Sequence, residues 1–169
     1  LKNIKKIYIC DGHHRIQAML KSKKKIAPMI IAFPYNQVNI LDYNRVIKTN
    51  LEFDNIKKII SKHFSINISK KNCKLKQSQI EMYLNKKWYL LKLYKKSKEL
   101  DVTILRNIIL RKILKNKKNI KFVSGIKGKK TLEILANSKK YNMAFRLCPT
   151  NVSQVLTFAE KKRYMPQKS

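Results

Sequence analysis

Five consecutive residues near the start of the chain, Asp11-Gly12-His13-His14-Arg15, have the types and spacing of an anion-binding turn. Apolar residues precede them, so the pattern indicates a strand, a glycine turn and the first turn of a helix. Glycine adopts backbone angles that a Cβ disfavours, and a helix N-terminus carries unpaired N–H groups and a positive dipole end. Arg15 adds a planar fork suited to phosphate or carboxylate. The stretch therefore predicts an anion site.

The carboxylate of Asp11 beside this anion site has three interpretations. It could hold a metal ion, orient a hydroxyl that is to be activated, or cap the helix. The two histidines would point about 100° apart on a helix, so His13 and His14 are not expected to share one metal ion. Separate roles for the two imidazoles fit this geometry better.

The segments around the turn predict a βαβ unit. Residues 4–10 and 28–33 are predicted strands, and a helix over residues 13–24 is predicted between them, with Ile16, Met19 and Leu20 as its buried stripe. A right-handed crossover would put the glycine turn at the carboxyl end of the first strand. Open α/β sheets bind their ligands at that end.

The rest of the chain predicts a mixed arrangement of helices and strands. Extended structure is expected over residues 38–48, and a hairpin is expected around Asn85. Asp101 is a predicted N-cap. The further predicted elements are helices over 51–64, 102–115 and 131–139, a helix from 152, and strands over 120–123 and 144–147. The prediction is a mixed α/β (α+β) protein divided into residues 1–50 and 51–169. Gly125 and Gly128 have two residues between them, which fails the spacing of a phosphate loop.

The net charge of +31 invites a nucleic-acid role. Of the 40 basic residues six are arginine and 34 (40 − 6) are lysine. The lysines are spread over every segment, as expected of surface positions in an A/T-rich coding sequence. Dispersed lysine indicates non-specific nucleic-acid binding at low salt rather than an evolved interface. There is no apolar run long enough for a membrane span, and three isolated cysteines fit a reducing cytoplasm.

Asp11-Gly12-His13-His14-Arg15 resembles the signature of domain-of-unknown-function family 1015 (DUF1015), which belongs with the ParB/sulfiredoxin-like superfamily. The likeness continues along the chain in the family's order. The similar segments are Leu41–Lys48, Lys87–Leu91, Leu100–Leu105, Ala144–Thr150 and Met165–Ser169. The resemblance implies a truncated ParB/sulfiredoxin-like unit over residues 1–50, followed by an α+β portion.

The superfamily includes kinases of free serine, so the resemblance implies phosphoryl transfer from ATP or ADP to L-serine or a similar hydroxyl substrate. Gly12, His13, His14 and Arg15 would bind phosphate, Asp11 and His14 would be catalytic, and Asp11 would hold Mg²⁺. Arg45 would reach a phosphate near the turn, or would be a surface residue paired with Asp42.

Two departures from the family leave other functions open. The chain begins one predicted strand before the turn, and it ends where the family continues into a tail, so it is expected to be a fragment. The alternatives are a ParB-like nucleotide- or DNA-binding regulatory module and an inactive product of gene decay. The substrate, the phosphate donor and the oligomeric state stay open.

Overall fold

A computed structural model describes residues 4, 6–22, 27–71, 73–95, 97, 99–114 and 119–161. The chain divides into two compact units. The first comprises Leu1–Asn39 and Val152–Tyr164, and the second comprises Ile40–Asn151 and Met165–Ser169. The predicted boundary between residues 50 and 51 stays a prediction. Within the described part of the chain, no helix is both long and apolar enough to cross a membrane.

A six-stranded antiparallel sheet forms the second unit. Its strands are β1 (Tyr43–Ile47), β2 (Phe64–Ile68), β3 (Gln79–Leu84), β4 (Lys87–Leu93), β5 (Ile120–Ser124) and β6 (Met143–Leu147). The order across the sheet is β2-β4-β3-β6-β1-β5. The mixed α+β prediction is therefore confirmed.

Helices pack on both faces of this sheet. The first is α2 (Phe53–Ser61) and the last is α5 (Gly128–Ala136). Between them lies one continuous helix of three parts: α3 (Asp101–Ile104), a π-helical turn (Leu105–Leu110) and α4 (Arg111–Ile113). On one face Leu132 of α5 packs with Val46 and Ala144. On the other face Phe53 of α2 meets Tyr89, with the ring centroids 5.6 Å apart. Alternate side chains of each strand therefore enter two separate layers of core.

The hairpin between β3 and β4 matches its prediction. Asn85 and Lys86 both have positive φ, 50° and 59°, as a tight two-residue turn with the twist of a β-ribbon requires. Leu84 and Lys87 are the last pair of the ladder before the turn. Asparagine tolerates this conformation, which is why the local sequence was sufficient to predict the hairpin.

Among the described residues of the first unit, the regular structure consists of two helices and a 3-10 turn. They are α1 (His13–Lys21), a 3-10 turn (Tyr35–Gln37) and α6 (Val152–Glu160). The Tyr8 hydroxyl donates a 2.8 Å hydrogen bond to Glu160 Oε1, which ties the segment before the glycine turn to α6. The hydrogen bond to Glu160 is also the main reason that the pKa of Tyr8 is raised.

The predicted strands over residues 4–10 and 28–33 are wrong for the residues described there, and so is the βαβ unit. Neither segment pairs with a strand, and their apolar side chains are exposed, Met29 by 95% and Ile31 by 77%. Leu20 is also exposed, although it was predicted to be buried. An apolar run forms a strand only if another strand satisfies its N–H and C=O groups. No described segment of this chain does so.

Three predictions in the second unit also need correction. Phe64 opens β2 instead of closing the preceding helix, because the chain turns at Lys62. Asp101 is not an N-cap: Leu100 holds that position, and the Asp101 carboxylate accepts the backbone N–H of Ser78 at 2.8 Å. The helix predicted over 131–139 runs from Gly128 to Ala136.

Candidate functional site

The glycine turn has the predicted local conformation. Gly12 lies in the left-handed region, with φ 80° and ψ 16°, and immediately precedes α1. The first helical hydrogen bond runs from Ile16 N–H to Gly12 C=O at 3.0 Å, so the N–H groups of the first turn have no acceptor within the helix. Gly12 holds the N-cap position and has no side chain to cap this end, and no acidic residue lies in the first turn. The turn therefore offers backbone donors and a positive dipole end.

The guanidinium of Arg15 folds back over the turn. A Cβ placed on Gly12 would lie 3.2 Å from Nη2 and 3.4 Å from Nε of Arg15. Arg15 Nη2 is 3.7 Å from Asp11 Oδ2, and both side chains are largely exposed. The cap interpretation of Asp11 is therefore wrong, since its carboxylate faces the guanidinium instead of the helix N–H groups.

Two further predicted site residues, His13 and His14, are the first residues of α1. The backbone of His13 and His14 lies in α1, and their side chains lie outside what the structure describes. The family-like segment Met165–Ser169 also lies outside the described residues. Among described residues, no group of three or more His, Cys, Asp or Glu could hold a metal ion.

Arg45 belongs to the second unit, and it is not a surface residue. Only 3% of it is exposed, its guanidinium lies 5.3 Å from the centre of the Phe122 ring, and its Nη1 donates to the backbone C=O of Tyr43. Burial lowers its pKa to about 10, and the charge of Asp42 opposes this shift. Arg45 therefore stays charged at neutral pH, and its contact with a phosphate stays a prediction.

A buried charge network lies on the sheet face that α5 covers, and the sequence interpretation did not anticipate it. Glu81 is fully buried, and its Oε2 accepts from Arg146 Nη1 at 2.7 Å. Its Oε1 accepts from Lys129 Nζ at 2.9 Å and from the Ser69 hydroxyl. Lys129 Nζ also lies 4.4 Å from the centre of the Trp88 ring. Two signals in the sequence could have revealed this network. They are the single carboxylate between apolar neighbours in β3 and the single arginine in β6.

A second carboxylate, Asp101, lies at one end of the sheet. It is 7% exposed, and burial raises its pKa to about 6, although the hydrogen bond from Ser78 N–H opposes the shift. The thiol of Cys148 also has a raised pKa, mainly through burial and then through the charges of Asp101 and Asp42, while Arg146 acts in the opposite direction.

Asp101 should make the stability of the second unit depend on pH. Because its folded pKa of about 6 exceeds the value of 3.8 that the unfolded chain would show, the folded state binds the proton more tightly. Its contribution is complete below pH 3.8 and is lost as the pH rises through about 6. In urea unfolding, we expect the free energy of unfolding of the parent to fall by about 2 kcal/mol as the pH rises over this range. The free energy of unfolding of Asp101→Asn should not show this fall. Equal pH profiles for the two proteins would contradict this assignment.

Comparison with known families supports the resemblance for the turn and for the similar segments up to Leu105. Residues 1–111 match the model of a family described as "Protein of unknown function (DUF1015)". The chain belongs to the DUF1015 family. No curated protein matches the chain, and neither does any solved structure. The family description assigns no activity, so the function has to be argued from the site.

Proposed function

We propose that this DUF1015 protein binds the phosphate groups of a nucleotide at the N-terminal turn of α1. One observation carries the proposal: the Arg15 guanidinium folds over a left-handed Gly12, which holds the N-cap position and has no side chain to cap the helix end. Backbone N–H donors and an arginine fork then face one anion from two directions.

The chemistry that this site supports is phosphoryl transfer to a small hydroxyl substrate, with free L-serine as the substrate that the family resemblance implies. The terminal P–O bond of ATP or ADP breaks, the phosphorus bonds to the substrate oxygen, and the hydroxyl proton passes to Asp11 or His14. Arg15 and the turn stabilise the charge on the phosphoryl oxygens. His13 contacts phosphate.

The site could bind a magnesium ion only if a bound ligand supplied further oxygen ligands. Asp11 offers one exposed carboxylate, and Mg²⁺ is commonly held by one or two carboxylates together with phosphate oxygens and water. Asp11 would therefore hold the ion jointly with a bound nucleotide.

The three free cysteines accord with a reducing, cytoplasmic location.

The second candidate is a ParB/sulfiredoxin-like nucleotide-binding module without catalysis of its own. The exposed apolar side chains of Ile7, Ile31 and Phe33 favour it, because such a surface does not shield a reacting phosphate from water. A remnant without any binding activity is the third outcome, and it predicts no saturable ligand effect.

Nucleotide binding should depend on Arg15. In a thermal-shift titration with ATP, ADP and pyrophosphate, with and without Mg²⁺, we expect saturable stabilisation of several degrees for the parent. Arg15→Ala should lose it, since the fork is removed. The matched control is Arg106→Ala, an exposed arginine of the second unit, which should keep it. Salt of about 0.3 M keeps non-specific attraction to lysine small.

Two results of this titration would count against the proposal. The first is stabilisation that survives Arg15→Ala and fades with salt, which is the behaviour of a generic polycation. The second is no stabilisation at all. If binding holds, Asp11→Asn separates the two candidates: loss of phosphoserine formation with binding retained supports the kinase, and an inactive parent supports the module.

A further inference from the structure

One end of the six-stranded sheet collects lysines that are far apart in the sequence. The ladder aligns Lys87 with Leu84, Leu84 with Met143, and Met143 with Ile47 across β4, β3, β6 and β1. Five lysines lie at or just beyond this line, and we call them the lysine row. They are Lys48, Lys86, Lys87, Lys139 and Lys140. The register of the strands thus brings lysines that are far apart in the sequence to the same end of the sheet.

Within the described part of the chain, no lysine of the row forms a salt bridge with a carboxylate. The salt bridges of the described residues join Asp11 to Arg15, and Glu81 to Lys129 and Arg146. The carboxylate of Glu133 accepts from Trp88 Nε1, next to Lys87, at 2.6 Å. The segments 48–51, 84–87 and 137–142 contain no Asp or Glu, and Glu52 is the nearest acidic residue along the chain. Asp42 and Asp101 lie at the opposite end of the sheet, before β1 and beside Ser78. Salt bridges therefore do not neutralise the row, although lysine also occurs at the opposite end, where Lys92 pairs with Gln79.

Hydrogen bonds hold the backbone that carries the row. Asn142 clamps Thr49, accepting its N–H at 3.0 Å and donating to its C=O at 2.7 Å. Asn137 Nδ2 donates to the Tyr83 hydroxyl at 2.9 Å. Lys48 Nζ reaches the C=O of Lys139 at 3.5 Å. Because these links join the end of β1 to the chain before β6, the lysines project from a fixed frame rather than from a loose tail.

We propose that the lysine row binds the phosphate backbone of a nucleic acid without reading its sequence. Four adjacent strands span about 15 Å, a length over which a duplex presents several phosphates. Lysine is a point charge suited to phosphates, and the row contains no arginine fork for base edges. Among the described residues, no exposed large apolar side chain lies in the three segments, so the surface has no wedge for a lipid bilayer. This proposal is independent of the nucleotide site.

The test compares two triple variants that change the charge equally. K86E/K87E/K140E alters the lysine row, and K57E/K58E/K62E alters exposed lysines of α2 and the residue after it. Each lowers the net charge from +31 to +25, since three lysines become glutamates. The probe is a fluorescein-labelled 20-bp mixed-sequence DNA duplex, measured by anisotropy between 50 and 300 mM KCl. Circular dichroism melts, together with the milder K86Q/K87Q/K140Q variant, check that a loss of binding is not a loss of folding.

We expect the lysine-row variant to bind at least tenfold more weakly at 150 mM KCl, with the salt slope reduced by about 2 to 3, as the loss of three phosphate contacts requires. The control variant should keep the parent slope within about 1. Equal losses in both variants would overturn the proposal in favour of a delocalised polycation. Loss of binding to phosphatidylserine vesicles with DNA binding unchanged would overturn it in favour of a membrane surface.

Discussion

Glu81→Ala is expected to lower the free energy of unfolding of the second unit by about 3 kcal/mol. Glu81 is fully buried and accepts from Arg146 and Lys129, so its removal leaves two cations without their carboxylate. Removing one member of a buried ion pair costs about 3–5 kcal/mol. The lower end applies here because the side chains of Lys129 and Arg146 are 23% and 30% exposed and can regain some water. Urea denaturation followed by circular dichroism measures the change.

Two further variants show whether charge is the cause. Glu99→Ala removes an exposed carboxylate of the same unit and should change the stability by less than about 0.5 kcal/mol. Glu81→Leu combined with Arg146→Met and Lys129→Met should recover much of the loss, because an apolar set needs no partner charge. A Glu81→Ala cost no larger than that of Glu99→Ala would mean that the network contributes nothing to stability.

Gly125→Ala is expected to cost about 2–3 kcal/mol through steric overlap. A Cβ on Gly125 would lie 2.9 Å from both the Cγ and the backbone oxygen of Asp42, and closer still to its Oδ1. The backbone oxygen cannot move away freely, since it also accepts the N–H of Gly125 at 2.8 Å. The expected result is a lower urea midpoint with an unchanged slope, which indicates lost stability without a change in the denatured state.

Gly128→Ala is the matched control, three residues further along the chain. No atom lies within 4 Å of a Cβ placed there, so its cost arises only from the backbone, whose φ of 68° and ψ of 176° lie in a region essentially restricted to glycine, and should be about 1–3 kcal/mol. Asp42→Ala in the Gly125→Ala background should restore part of the loss, because the overlap with the carboxylate disappears while that with the backbone remains. Gly125 does not have a positive φ, so a Gly125→Ala cost below about 0.5 kcal/mol would show that the overlap with Asp42 is relieved and would contradict this prediction.

The local features of this chain could be predicted because short segments determine them. The hairpin at Asn85 needs only residues that tolerate positive φ between two apolar runs. The left-handed Gly12 before α1 likewise follows from a glycine placed where a helix begins. Both features depend on interactions within a few residues.

Predictions that required long-range pairing were less successful. Residues 28–33 have the composition of a buried strand, but a strand exists only where a neighbouring backbone is in register with it. Phe64 fits a helical stripe by spacing, yet it opens β2 opposite Leu93. In the first case no described segment supplies a partner strand, and in the second the partner strand overrode the local helical preference.

By itself, the sequence determined the family, the mixed α+β class and the conformation of the Asp11–Arg15 turn, because motif, hydrophobic period and glycine chemistry are readable over a few residues. Tertiary structure alone decided that Glu81 meets Lys129 and Arg146, and that lysines 92 residues apart (Lys48 and Lys140, 140 − 48) lie at one end of a sheet. Strand order and register set these contacts, and neither is encoded in any single segment. Lysines that are far apart in the chain therefore come together only when the sheet forms.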